Sequence, residues 1–353
     1  RFGAQLARAA DCAAEALARA VALSPGDPAL RFQHASLLLH LDRADEADAA
    51  LEALLALAPD HVDGLRALAK LCRRRDELDR SVATWERLLR LVPEDVAAWT
   101  TLGWCHAARL DYGHAEACLR RAAVLAPDSA ASHVAHARIL RSVDDPEAAL
   151  AAADRAIALE PSMAEAHAVR AGVLRDVGRI VDGLASVETA IGHDPACVNA
   201  FVQAGLLLSD AGDPEAAVRA YRRAIRLEPE NVDAHWNCGA SLLALGRFEE
   251  GFAEYEWRFR SPLFYRGKPR HPQPRWDGAP LDGRMLLVHA EQGLGDGIQF
   301  LRFLAPLAAS GASFHLEVPP ALVPLTLCAG RAGSPFALGD PHPELDLRAS
   351  IVR

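Results

Sequence analysis

Apolar residues along the first three-quarters of the chain fall in blocks of amphipathic helix, separated by short polar turns. The turns keep strict time. Prolines stand at 25, 59, 93, 127, 161, 195 and 229, each 34 residues after the last, in similar settings: ALSPGD, ALAPDH, RLVPED, VLAPDS, ALEPSM, GHDPAC and RLEPEN. Proline stops one helix, and the residues after it open the next. The pattern predicts helical hairpins over 28–61, 62–95, 96–129, 130–163, 164–197, 198–231 and 232–265, preceded by a partial unit.

Within each 34-residue unit, small residues mark where two helices touch. The eighth position holds Ala35, Ala69, Gly103, Ala137, Ala171, Gly205 and Gly239. The twentieth is equally small, from Ala47 and Ser81 to Ala217 and Gly251. Larger residues at the twenty-fourth, such as Leu51, Trp85 and Tyr221, fill the next layer. Period, turns and lattice resemble the tetratricopeptide-repeat family. The resemblance implies a mostly α fold: a right-handed superhelix of antiparallel helix pairs over 1–261, stabilised by neighbour contacts, with no catalytic chemistry of its own.

In that family the first helix of each unit lines a concave groove. Positions 5, 9 and 12 then place Arg66, Lys70 and Arg73 in one unit, Arg138 and Arg141 two units on, and Arg175 in the next. Guanidinium forks hold carboxylates well, so the expected ligand is a protein or peptide segment, acidic or ending in a carboxylate. The competing reading is a solvated helix face of mixed charge.

After the last, aromatic-rich hairpin the pattern changes. Residues 262–283 form a proline-rich, locally basic linker that cannot continue a helix. MLLVHA (285–290) then reads as a buried strand, EQGLGDG as a turn, IQFLRFLAPLAA as a helix, SFHLEVP as a second strand and PALVPLTLCAG as a second helical segment. That order predicts a parallel sheet, the start of a Rossmann-like α/β domain over 284–353. So few residues cover one side of such a sheet that the chain is expected to stop inside the domain.

Gly293, Gly295 and Gly297 sit at the predicted strand-to-helix turn, where glycines let backbone N–H groups approach a phosphate or acceptor. Ile298 breaks the dinucleotide-binding pattern, and no Gly-Lys-Ser/Thr occurs. Asp296 with Gln299 reads as a helix N-cap with a capping-box partner. The longer string from WDGAPLDGRMLLVHAEQGLGDG onward resembles the N-terminal half of heptosyltransferase-like, GT-B-fold bacterial glycosyltransferases. That resemblance implies Asp296, in the Gly295–Asp296 pair, as general base toward an acceptor hydroxyl. It also implies that the nucleotide-sugar donor binds mostly to a C-terminal half, so this chain alone is expected to be inactive and to bind no cofactor. His289, Glu291, His315 and Glu317 read as strand-end polar residues, and no metal site is expected.

A formal charge of −9 argues against nucleic-acid binding. Seven scattered cysteines without a Cys-x-x-Cys pair suit reduced, buried thiols in a cytoplasmic setting. No apolar run reaches the roughly 18 residues of a membrane span. The expected function is a protein-binding scaffold joined to an incomplete glycosyltransferase-like domain. The alternative is a purely non-catalytic interaction protein whose α/β tail is a structural cap.

Overall fold

The computed structural model describes residues 2–261, 271, 273–290, 293–328, 334–337 and 345–350. It divides into two compact units, Arg1–Asn237 and Cys238–Arg353. In the first, α1 (Phe2–Leu23) precedes a run of helical hairpins. These are α2 and α3 (Pro28–His40, Ala44–Leu57), α4 and α5 (Val62–Arg74, Leu78–Leu91), and α6 and α7 (Val96–Ala108, Tyr112–Leu125). Then come α8 and α9 (Ala130–Ser142, Pro146–Leu159), α10 and α11 (Ala164–Asp176, Ile180–His193), and α12 and α13 (Val198–Asp210, Pro214–Leu227). The division between units falls inside α14 (Val232–Ala244), which pairs in sequence with the shorter α15 (Phe248–Tyr255).

The first helices start where they do because the residue before them satisfies free backbone N–H groups. Asp27, His61, Asp95 and Ser129 each accept from a first-turn amide through their side chains. Inside the hairpins the small-residue lattice is a steric requirement. Ala35, Ala47, Ala69 and Ala115 are completely buried. A Cβ on Gly205 would strike the Tyr221 ring, and one on Gly239 would lie 2.5 Å from the backbone nitrogen of Tyr255, which no rotamer change relieves.

Every turn between the two helices of a hairpin passes through a left-handed residue. These are Asp42, Asp76, Leu110, Asp144, Gly178, Gly212 and Gly246. Glycine and aspartate tolerate that conformation, but leucine does not. Leu110, at φ +62°, is the strained member. Replacing Leu110 with glycine is expected to raise unfolding free energy by about 1 kcal/mol, read as a higher denaturation midpoint. An unchanged or lower midpoint would mean that Leu110 gains more from packing than it loses in strain.

The second unit carries a four-stranded parallel sheet, in the order β3-β2-β1-β4, built from β1 (Leu286–His289), β2 (Phe314–Val318), β3 (Ser334–Ala337) and β4 (Leu347–Ser350). This all-parallel arrangement is compatible with a partial Rossmann-like domain. Leu286, Val288, Phe314, Leu316 and Leu347 form one apolar face, packed on Leu304 and Leu322. Trp276 is partly buried against that core, and its ring N–H donates to the Ala279 carbonyl at 2.7 Å. Residues 262–270 and 272 of the predicted linker, and Glu291, lie outside the described residues.

The segment after β1 corrects the predicted turn. The helix starts early, as α16 (Leu294–Phe300), followed by a 3-10 turn and α17 (Leu304–Ala309). Gly293 occupies the N-cap, while Gly295 and Gly297 lie within α16. Asp296 is therefore the third helical residue and not the cap that its spacing to Gln299 suggested. Its side chain lies outside the described part of the structure. Gly297 has a packing role, since a Cβ there would meet Leu322 at 2.7 Å.

Six described cysteines are free thiols, five of them buried. Burial pushes the thiols of Cys72 and Cys118 up to about 11, which makes them unreactive. Among the described residues, no helix is long and apolar enough to cross a membrane.

Candidate functional site: a cleft between first helices

α2 and α4, the first helices of neighbouring hairpins, leave between them a cleft of about 460 Å³. Its floor is apolar, made by Phe32 and Leu39 from α2 and by Ala67 and Leu71 from α4. Its rim carries Arg66, Lys70 and Arg74, with His40 and the Arg66 partner Asp63 beside them. Helical spacing explains the convergence, because residues 63, 66, 67, 70 and 74 share one face of α4. Lys70 is exposed, and no ion pair is recorded for it among the described residues. Arg74 stands 3.7 Å from Asp42, a distant surface pair worth little. The cleft therefore presents an apolar floor beneath a cationic edge.

The other arginines predicted for the groove are mostly spoken for. Arg66 bridges Asp63 at 2.9 Å and Asp95 at 2.7 Å. Burial pushes the Asp95 carboxyl up, but hydrogen bonds from the Ala98 N–H and from Arg66 outweigh it and hold its pKa below the usual value. Arg138 lies over the Trp104 ring and 3.3 Å from Glu165. Arg141 meets Asp176 at 2.6 Å, and Arg175 meets Asp210 at 2.6 Å. Arg73 is exposed and does not line the cleft.

The expected run of free positive charge is thus corrected: four of the six residues are neutralised by acids of the same or the next hairpin. The pairs Arg141–Asp176 and Arg175–Asp210 are each 35 residues apart, one period plus one, so a first helix hands its arginine to its neighbour's last turn. Gly172 makes room for this, since a Cβ there would run into the Arg141 guanidinium. Near these rungs Asn199 donates to Glu165 at 3.1 Å, and burial raises the Glu165 carboxyl above its usual pKa.

The second unit holds a separate polar cluster on the sheet face opposite its apolar core. His289 and Glu317 are register partners near the carboxyl ends of β1 and β2. Glu317 is 1% exposed and lies 2.9 Å from His271, whose ring sits 4.7 Å from that of His289. Burial first, then the nearby His271, Arg348 and Arg275, drive the His289 imidazole down to about 3, so it is neutral at physiological pH. His271 comes from the segment read as linker, and only the fold brings it to β2.

Comparison with known proteins agrees with the hairpin geometry. Family models described as tetratricopeptide repeat match residues 28–61, 66–130 and 134–200, and one described as TPR repeat matches 205–246. A tetratricopeptide repeat protein from Parabacteroides merdae superposes with a TM-score of 0.56 at 16% identity, covering 66% of this chain and 92% of that one. Yeast Tom70 superposes with a TM-score of 0.52 at 16% identity, covering 71% and 54% respectively. At that identity they share the superhelical fold. Protein FlbA of Caulobacter vibrioides is 44% identical over 63 residues, 18% of this chain, and the match spans only 11% of that relative's length. The repeated hairpins of this chain are tetratricopeptide repeats.

Proposed function

We propose that the first unit is a docking scaffold for a protein segment, seated on the first helices and anchored in the cleft between α2 and α4. The observation that carries this reading is the apolar floor beneath Lys70, which forms no ion pair among the described residues. Such a site suits a bulky apolar side chain followed by a carboxylate, from aspartate, glutamate or a chain terminus. The acidity of the ligand is set by this cleft rather than by Arg138, Arg141 and Arg175, whose charges are already balanced. We place the protein in the cytoplasm, with protein partners in place of nucleic acid.

A peptide library panned on the chain is expected to enrich apolar–acidic motifs. Lys70→Glu, and separately Ala67→Trp to fill the floor, should each weaken the selected peptides at least about tenfold, a loss of about 1.4 kcal/mol, with the fold intact by circular dichroism. Equal affinity for both variants would place the binding surface elsewhere.

A second reading concerns the α/β unit, and the all-parallel sheet with buried His289 and Glu317 at its strand ends favours it. Open α/β sheets bind ligands outside the carboxyl ends of their strands. We propose glycosyl transfer by the intact gene product, with Asp296 as base, Gly293, Gly295 and Gly297 near the acceptor, and a nucleotide-sugar as donor. Turnover of a nucleotide-sugar that is abolished in Asp296→Asn would support it. Failure of the intact product to bind any nucleotide-sugar would leave the unit as a structural cap.

A further inference from the structure

Three metal-ligating side chains converge where α6 gives way to α7. His106 lies in the last turn of α6, Asp111 caps α7, and His114 lies in its first turn. One donor atom from each lies within 4.8 Å of the other two. Asp111 Oδ2 stands 3.5 Å from His106 Nδ1 and 2.8 Å from His114 Nδ1. The two imidazoles are nearly stacked, with centroids 5.3 Å apart at 23°. The backbone ties the group together, because the Asp111 N–H donates to the His106 carbonyl at 2.9 Å.

His106 is the anomaly that needs an explanation. It is 6% exposed, and its Nδ1 is buried with no hydrogen-bond partner. A buried polar atom left unpaired is costly and uncommon. The repeat itself shows what packing alone prefers there. The corresponding residue is Leu38, Leu140, Leu174, Leu208 or Leu242 in five other hairpins and Cys72 in the sixth. The position of His114 is held elsewhere by Glu46, Arg80, Ala148, Asp182, Ala216 and Glu250. Only this hairpin places imidazoles at both positions, with a carboxylate between them.

We propose that His106, Asp111 and His114 bind a divalent transition-metal ion of the zinc class, with water at the remaining position. Zinc–nitrogen and zinc–oxygen bonds of about 2.0–2.2 Å put tetrahedral donors about 3.4 Å apart, close to the His106–Asp111 separation. The shorter His114–Asp111 contact opens by rotation of His114, whose side chain is mostly exposed. Two imidazoles and one carboxylate suit zinc, cobalt, nickel or copper rather than calcium or magnesium. The neighbouring cation, Arg109, is engaged by Asp79 at 3.0 Å, and the Glu86 carboxylate offsets it at His106. The bound ion would clamp the two helices of one hairpin across their turn.

The test uses the full, reduced, metal-free chain and zinc(II) alone, followed by calorimetry and thermal melting, with cobalt(II) absorption as a spectroscopic check. The chain has 14 histidines and seven cysteines, so the comparison between variants carries the result. The wild type is expected to bind one zinc more than His114→Ala and to melt higher with zinc, while that variant gains nothing. His106→Leu restores the residue usual at this position. It is expected to be at least as stable without metal and to show no response to zinc. Zinc stoichiometry and melting shift equal to wild type in either variant, or no zinc bound by the wild type, overturns the site.

Discussion

Truncating Trp85 to alanine is expected to cost about 3–5 kcal/mol of stability, the range for removing a large aromatic from a packed core. Trp85 is 1% exposed and sits among Leu68, Leu88, Leu89 and Leu102 in the largest apolar cluster of the first unit. The cavity would open between two hairpins, and repeat arrays draw their stability from such neighbour interfaces. Loss should therefore spread to both sides of α5, seen as faster amide exchange in α4 and α6. Trp85→Phe gives a sharper test. The Trp85 ring N–H is buried without a partner, so phenylalanine removes an unsatisfied donor along with some volume. It should cost clearly less than alanine in a denaturant titration. Equal losses for the two variants would show that a phenyl ring recovers none of the packing lost with the indole.

Acid should unfold the second unit ahead of what its carboxylates alone would bring about. The His289 imidazole is held down at about 3, chiefly by burial, against about 6.5 in an unfolded chain. Between those values the unfolded state binds a proton that the folded state refuses. The stability this group contributes is therefore fully present above about pH 6.5 and is lost as pH falls toward 3, at up to about 1.4 kcal/mol per pH unit. The groups facing it are His271, Glu317, Arg275 and Arg348, and none of these arginines can discharge in this range. Denaturant midpoints of the second unit at pH 7.5, 6 and 5 should fall steeply. His289→Gln should flatten that slope, and a slope unchanged by the substitution would locate the acid sensitivity in other groups.

The repeats were legible because one physical requirement recurs every 34 residues: a helix stop, a small contact residue and a filler. The hairpin turns carry a second recurrent signal. Asp42, Asp76, Leu110, Asp144, Gly178, Gly212 and Gly246 keep the same period and mark the left-handed turns. The pairing of Arg138, Arg141 and Arg175 is not legible in the sequence because it joins helices of different hairpins, and each helix read alone shows only its own charges. Arg141 and Asp176 become partners only when the stacking offset is known. In the α/β unit, β1 and β2 announce themselves as apolar runs, whereas β3 and β4 have four residues each and β3 contains Pro335, tolerated because it is an edge strand. His271 carried no signal at all, since a histidine among prolines reads as linker.

The uninterrupted period has an evolutionary corollary. Excising residues 164–197 would bring Asp210 to the place of Asp176, and Arg141 would find an acid waiting in the same spot. A tandem copy of that stretch would regenerate its own rung in the same way. A gene built like this can gain or lose whole units by unequal recombination and still encode a sound core, so its length can drift while its folding rules stay fixed. The exception is the unit spanning 96–129, whose two imidazoles no other copy can replace.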